Sequence, residues 1–166
     1  MNKQKVLISA CLLGKKVRYD GEDNLQTHPR LKEWAEVGAF VLICPEMAGG
    51  LPTPRPPSEV EHNATAQDVL QGKAKILTID GCDVTEQYVK GAQAALELTQ
   101  QHNIKVAILK ARSPSCGSAQ VYDGTHSGQL IDGMGVTTAL LRENGVAVFN
   151  EDAIDEALDL AEFENQ

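Results

Sequence analysis

Cys11, Cys44, Cys82 and Cys116 are the cysteines of this chain, and no two of them form a C-x-x-C pair. Zinc-ribbon and thioredoxin-type spacings are therefore absent. Cys11 and Cys44 each follow at once on a short apolar run, KVLISA and AFVLI, and Cys116 lies seven residues beyond a third, KVAIL. Thiolates are soft ligands for zinc, copper(I) and iron–sulfur clusters. A closed structural metal site takes four protein ligands, so three thiolates leave a position open where a substrate can bind. A [4Fe–4S] core held by three cysteines would keep one iron free as a Lewis acid. Its residual negative charge would be offset by Arg18, Arg55, Lys110 and Arg112, which lie near the same segments. Any one cysteine alone also reads as a small buried hydrophobe, and Cys82 is read that way. The histidines, His28, His62, His102 and His126, form no H-x-x-x-H pair and point to no site. Gly133-Met-Gly135 lacks the third glycine and the preceding strand of a phosphate loop. Tyr19 and Trp34 read as packing residues.

The apolar runs over residues 5–10, 39–43, 105–109 and 146–149 read as short buried strands. Helices are expected from Pro29 to Val37, from the Asp83–Glu86 capping segment to about Gln101, and from about Gly133 to Glu143. An acidic last helix is expected after the cap Asn150. Along the second of these, Tyr88, Ala92, Ala95 and Thr99 recur at helical spacing and should face the core. Residues 66–80 read as a hairpin turning at Gln71-Gly72, and residues 120–132 as turns. The proline-dense stretch Pro45–Pro57 reads as an ordered loop over a site, free of helix and central strand. Apolar strands alternating with helices predict an α/β fold: a single domain over residues 1–166, with a mainly parallel sheet, helices on both faces and a small hairpin. Ligands in such folds sit beyond the carboxyl ends of the strands, where Cys11, Cys44 and Cys116 would converge.

At 166 residues, with 42% hydrophobic and 23% charged side chains, the composition is that of a globular protein with enough chain for one core. No run reaches eighteen apolar residues and the N-terminus reads as a strand rather than a signal peptide, so no membrane partner and a cytoplasmic location are expected. In a cytosolic chain a disulfide framework is not expected. The net charge of −8 is concentrated in residues 142–166, with eight acids and one base. With no basic excess anywhere, polymeric nucleic acid is not expected as a partner.

Three blocks carry a resemblance: Cys11-Leu-Leu-Gly-Lys-Lys-Val-Arg-Tyr-Asp-Gly; Cys44-Pro-Glu46 with Gly-Gly-Leu-Pro-Thr-Pro-Arg55; and Ser113-Pro-Ser-Cys116-Gly117 followed by Val-Tyr-Asp-Gly. In this order, over residues 5 to about 150, the chain resembles the [4Fe–4S]-dependent thiouracil desulfidases, a former domain-of-unknown-function family. The resemblance implies a Rossmann-like domain and a cluster held by Cys11, Cys44 and Cys116; Cys82 falls outside the blocks. It implies a thiolated nucleobase as the small-molecule substrate, 2- or 4-thiouracil being converted to uracil and sulfide without net redox change. The open iron would polarise the C=S bond while water attacks the thiocarbonyl carbon. Glu46 is then the candidate general base and proton shuttle, and Ser113 a hydrogen-bond donor to the ring or the developing charge. Ser115, with the backbone amides at Cys116 and Gly117, would serve the cluster sulfurs or the intermediate, and Asp23 and Arg55 would line the pocket.

Structural roles stay open for the same residues: Glu46 paired with Arg55 or capping a turn, Ser113 as a turn residue before Pro114, and Asp23 and Arg55 as a structural pair. Other functions stay open too. The substrate could be another thioamide or thionucleobase. A hydrolase could use Cys116 as nucleophile, or the chain could bind a metal or nucleobase without turnover.

Overall fold

A computed structural model describes residues 4–164. Its centre is a parallel sheet of β1 (Val6–Ser9), β2 (Phe40–Ile43), β5 (Val106–Ile108) and β8 (Ala147–Phe149) in the order β2-β1-β5-β8. Val6 aligns with Phe40, Leu7 with Ala107 and Ile108 with Phe149. The strands are short and apolar because both faces are covered. Val6, Ile8, Val106 and Ile108 point to one side, where α1 (Pro29–Glu36) and α6 (Ile154–Glu164) pack with Leu31, Trp34, Ala157, Leu158 and Ala161. Leu7, Ala107 and Val148 point to the other, against α4 (Thr85–Gln101) and α5 (Val136–Glu143) through Ala95 and Leu141. This alternation is the two-residue period of an extended chain. Tyr88, Ala92, Ala95 and Thr99 are all buried along α4. No helix among the described residues is long and apolar enough to cross a membrane.

The parallel sheet and its helices match the expected architecture; three local expectations do not. Residues 66–80 are not a hairpin: α3 (Ala66–Leu70) starts at a capping box in which Thr65 and Asp68 bond each other's backbone N–H. Only the later residues form a strand, β4 (Ile76–Thr78), and its antiparallel partner is β3 (Ser58–Val60), outside the expected hairpin. Residues 120–132 are not turns alone, because β6 (Gln120–Tyr122) and β7 (Leu130–Asp132) pair across the Gly- and Asp-rich loop. The proline-dense stretch does contain a helix, the single turn α2 (Pro45–Ala48). Pro45 occupies its first position, where the missing N–H has no partner to lose.

Candidate active site

From the central β1, the chain moves to β2 on one side and later to β5 on the other. A crevice opens beyond the carboxyl ends of the strands at such a reversal. Three cysteine-bearing segments border it. After β1, a 3₁₀ turn over Ala10–Leu13 carries Cys11 and is closed by Gly14 at φ +93°. The carbonyl of Cys11 also accepts the Asn24 N–H at 2.9 Å. After β2, Cys44 is the N-cap of α2. That turn lies hard against α4: a Cβ on Gly91 would stand 2.0 Å from the Pro45 carbonyl oxygen, and one on Gly49 1.8 Å from that of Gln87. Only hydrogen fits at either position. After β5, the Ser113 hydroxyl accepts the Cys116 N–H at 2.7 Å, and the Ser113 carbonyl accepts the Gly117 N–H at 2.9 Å. The Thr138 hydroxyl donates to the Cys116 carbonyl at 2.9 Å.

Cys11, Cys44 and Cys116 all line one cleft of about 500 Å³, and Cys82 does not. Cys82 is exposed, Cys44 half-buried, and Cys11 and Cys116 buried. Burial pushes the thiol pKa up at Cys11 and at Cys44, and furthest at Cys116, where the nearby Glu46 carboxylate and the other two cysteines add to the effect. No three His, Cys, Asp or Glu side chains among the described residues stand close enough to share a single metal ion. These thiols face a common space.

Glu46 also lines the cleft and is held at both carboxylate oxygens. The Tyr88 hydroxyl donates to Oε1, and the Arg55 guanidinium donates to Oε2 at 3.3 Å. Tyr88 is 2% exposed, and burial, with Glu46 second, raises its phenol pKa well above the ordinary value. Arg55 is buried and its two terminal nitrogens also reach the carbonyls of Pro52 and Val17 and the Thr53 hydroxyl. Its Nε, likewise buried, has no hydrogen-bond partner among the described residues. Glu46 thus pairs with Arg55, the structural alternative, and faces the cleft as well.

The remaining sequence candidates divide. Ser113 lines the cleft and caps the cysteine turn at the same time. Ser115 is fully buried behind the cleft, where it bonds Thr137 at 2.8 Å and lies 3.7 Å from the Cys116 sulfur, so it is in no position to touch a substrate. Asp23 does not line the cleft either; its carboxylate accepts the Leu25 N–H in a local turn. Its neighbour Asn24 faces the cleft instead and bonds the Cys11 side chain. Tyr19, expected to pack, is 43% exposed at the cleft wall. Lys110 lines the cleft and is paired to Glu151 at 2.7 Å. Tyr88 and Asn24 were missed. The helical period of α4 marks Tyr88 as inward-facing without saying that its hydroxyl meets a carboxylate, and nothing local distinguishes Asn24 from other loop residues.

The family model described as 2-thiouracil desulfurase matches residues 6–153. The uncharacterized protein YbbK of Bacillus subtilis (strain 168) is 42% identical over 153 residues, covering 92% of this chain and 99% of that protein. Among solved structures, the [4Fe–4S]-dependent thiouracil desulfidase TudS superposes with a TM-score of 0.86 at 42% identity, over 96% of this chain and 99% of that one.

Proposed function

The chain belongs to the 2-thiouracil desulfurase family, an enzyme family, and on that premise we propose that it converts 2- or 4-thiouracil and water to uracil and sulfide, with a [4Fe–4S] cluster held by Cys11, Cys44 and Cys116. The observation that carries this reading is the convergence of these cysteines, from the ends of β1, β2 and β5, on one cleft. The donor set fits such a group. Three cysteine side chains lining one cleft are soft donors of the kind that hold iron–sulfur groups. Arg18, Arg55, Lys110 and Arg112 all line the cleft, Arg55 and Lys110 being already paired with Glu46 and Glu151.

A cluster held by Cys11, Cys44 and Cys116 would supply Lewis-acid polarisation of the thiocarbonyl. The protein supplies the proton transfers. Glu46 takes a proton from the attacking water, because each carboxylate oxygen keeps a lone pair beyond those used by Tyr88 and Arg55. The same two donors fix the plane of the carboxylate, so no torsional freedom is lost at the moment of reaction. Glu46 then returns that proton to the sulfur, which departs as hydrosulfide, and takes the remaining hydroxyl proton as C=O forms, so that one water is consumed and one hydrosulfide and one proton are released. Ser113 accepts the Cys116 N–H and keeps its own hydroxyl proton for the substrate ring or the charge developing on it. Arg55 acts through Glu46 and closes the pocket wall, and the apolar side chains of Pro56 and Pro57 limit water.

A cysteine-nucleophile hydrolase fits poorly. Burial disfavours the thiolate at Cys116, and among the described residues its sulfur is hydrogen-bonded by Ser9 and Ser115 and by no histidine that could act as base. The deciding experiment is sulfide release from 2- and 4-thiouracil by anaerobically reconstituted protein, with iron counted. Brown protein with about four irons and stoichiometric sulfide is expected. Colourless protein that releases sulfide would turn the reading to the hydrolase, and thiouracil binding without sulfide to a binding module.

A further inference from the structure

The sulfur of Cys116 faces two buried serine hydroxyls. The Ser9 hydroxyl donates to it at 3.9 Å, and the Ser115 hydroxyl lies at 3.7 Å. Both serines are buried, at 3% and 0% exposure, so water does not compete for these contacts. The proton positions follow from the other partners. Ser9 Oγ accepts the Lys110 N–H at 2.9 Å, which turns its own proton to the sulfur. Ser115 Oγ stands 2.8 Å from the Thr137 hydroxyl, which can donate to it and free the serine proton. Cys44 Sγ donates to the Val17 carbonyl at 3.8 Å and is met by the Glu46 and Met47 N–H groups. A thiol at Cys116 can give its proton to Ser115, but a metal-bound thiolate has none, and the hydroxyl must then be the donor. A buried anionic sulfur without donors would carry a large desolvation penalty.

We propose that Ser9 and Ser115 hydrogen-bond the Cys116 thiolate as paired donors and withdraw electron density from that ligand of the cluster. This rests on the cluster assignment above and goes beyond it. Donors to a ligating sulfur withdraw electron density from the attached iron, which raises the reduction potential and strengthens the Lewis acid. Ser9 and Ser115 are positioning residues here, because they touch the ligand and not the substrate.

The test compares the wild type, Ser9→Ala, Ser115→Ala and the double variant, each reconstituted anaerobically. Midpoint potentials are measured by spectroelectrochemistry and iron loss by challenge with a chelator. Each Ala variant should have a more negative potential than the wild type, the double variant more so, and iron should leave about 10-fold faster. Ser9→Thr and Ser115→Thr keep a hydroxyl and should restore the wild-type potential. Ala variants that hold the cluster at an unchanged potential overturn the inference, even with reduced stability, because the serines would then only brace the fold. If the Ala variants do not fold, resonance Raman spectra of wild type reconstituted in D2O and H2O decide. Shifted iron–cysteine stretching bands support the donors, and identical bands remove them. A wild type that takes up no cluster sinks the function proposed above, whereas a loaded wild type whose variants match it sinks this inference alone.

Discussion

Glu46 is gripped at both oxygens while it faces the cleft, and this arrangement separates its chemical role from a structural one. Glu46→Gln keeps the shape and one acceptor but cannot take a proton. It should retain the visible absorbance and iron of the wild type while kcat falls by about 10²–10⁴. Tyr88→Phe removes one orienting donor and no acid or base, so its loss should be smaller, about 10-fold and mainly in kcat, with the cluster spectrum unchanged. Steady-state sulfide release measures both. Cys82→Ala should leave iron content and turnover as they are, since Cys82 is exposed and outside the cleft. The cleft cysteines were legible because each follows a buried strand run, and strand ends in this architecture are where ligands sit. Of the two roles open to Ser115, its position 3.7 Å from the Cys116 sulfur favours the one towards the ligand, and adjacency to Cys116 in the chain says nothing of which side of the turn a hydroxyl occupies. Asp23 and Asn24 show the same limit, since a one-residue difference in a loop decides which side chain faces the crevice.

The elements behind these residues depend on close backbone contacts as much as on apolar pattern. Gly91→Ala would drive a methyl group into the Pro45 carbonyl, and α2 would have to move away from α4. A destabilisation of about 1–3 kcal/mol in urea denaturation is expected, together with lower iron loading, because α2 follows Cys44 and carries Glu46. The main strands and long helices could be read from the chain because both their period and their boundaries are local properties. The β3–β4 and β6–β7 pairs could not, since Ser58–Val60 and Gln120–Tyr122 become strands only by finding partners across long loops. The capping box at Thr65 and Asp68 was present in the sequence, but the alternation after Gln71-Gly72 drew the whole segment towards a hairpin reading. At the other end of the chain, α6 is tied to α1 by Arg30, which bonds Asp155 at 3.0 Å and Asp159 at 2.8 Å. Hydrogen bonds from Arg30 first, then His28, hold the Asp155 carboxyl below the ordinary range. A depressed carboxyl pKa contributes stability above the unfolded value of about 3.9 and loses it as pH falls through the folded one. The protection factors of α6 amides, which remove the intrinsic pH dependence of exchange, should therefore fall from pH 6 to pH 3 more than those of α4.

In the whole molecule, the cleft lies where two separately packed layers and an outer loop meet. Cys11 belongs to the apolar layer of α1 and α6, Cys116 to that of α4 and α5, and Cys44 to the turn beyond β2. Anything that binds all of them favours the folded state alone, so the loaded protein should melt at a higher temperature than the apoprotein, as calorimetry under argon can show. Yet the apolar contacts within each layer do not need that bond. Air that strips the iron should leave an intact, colourless shell with unaltered circular dichroism, ready to be refilled once iron, sulfide and a reductant return. On the proposed cluster assignment, oxygen damage would then be confined to a replaceable part.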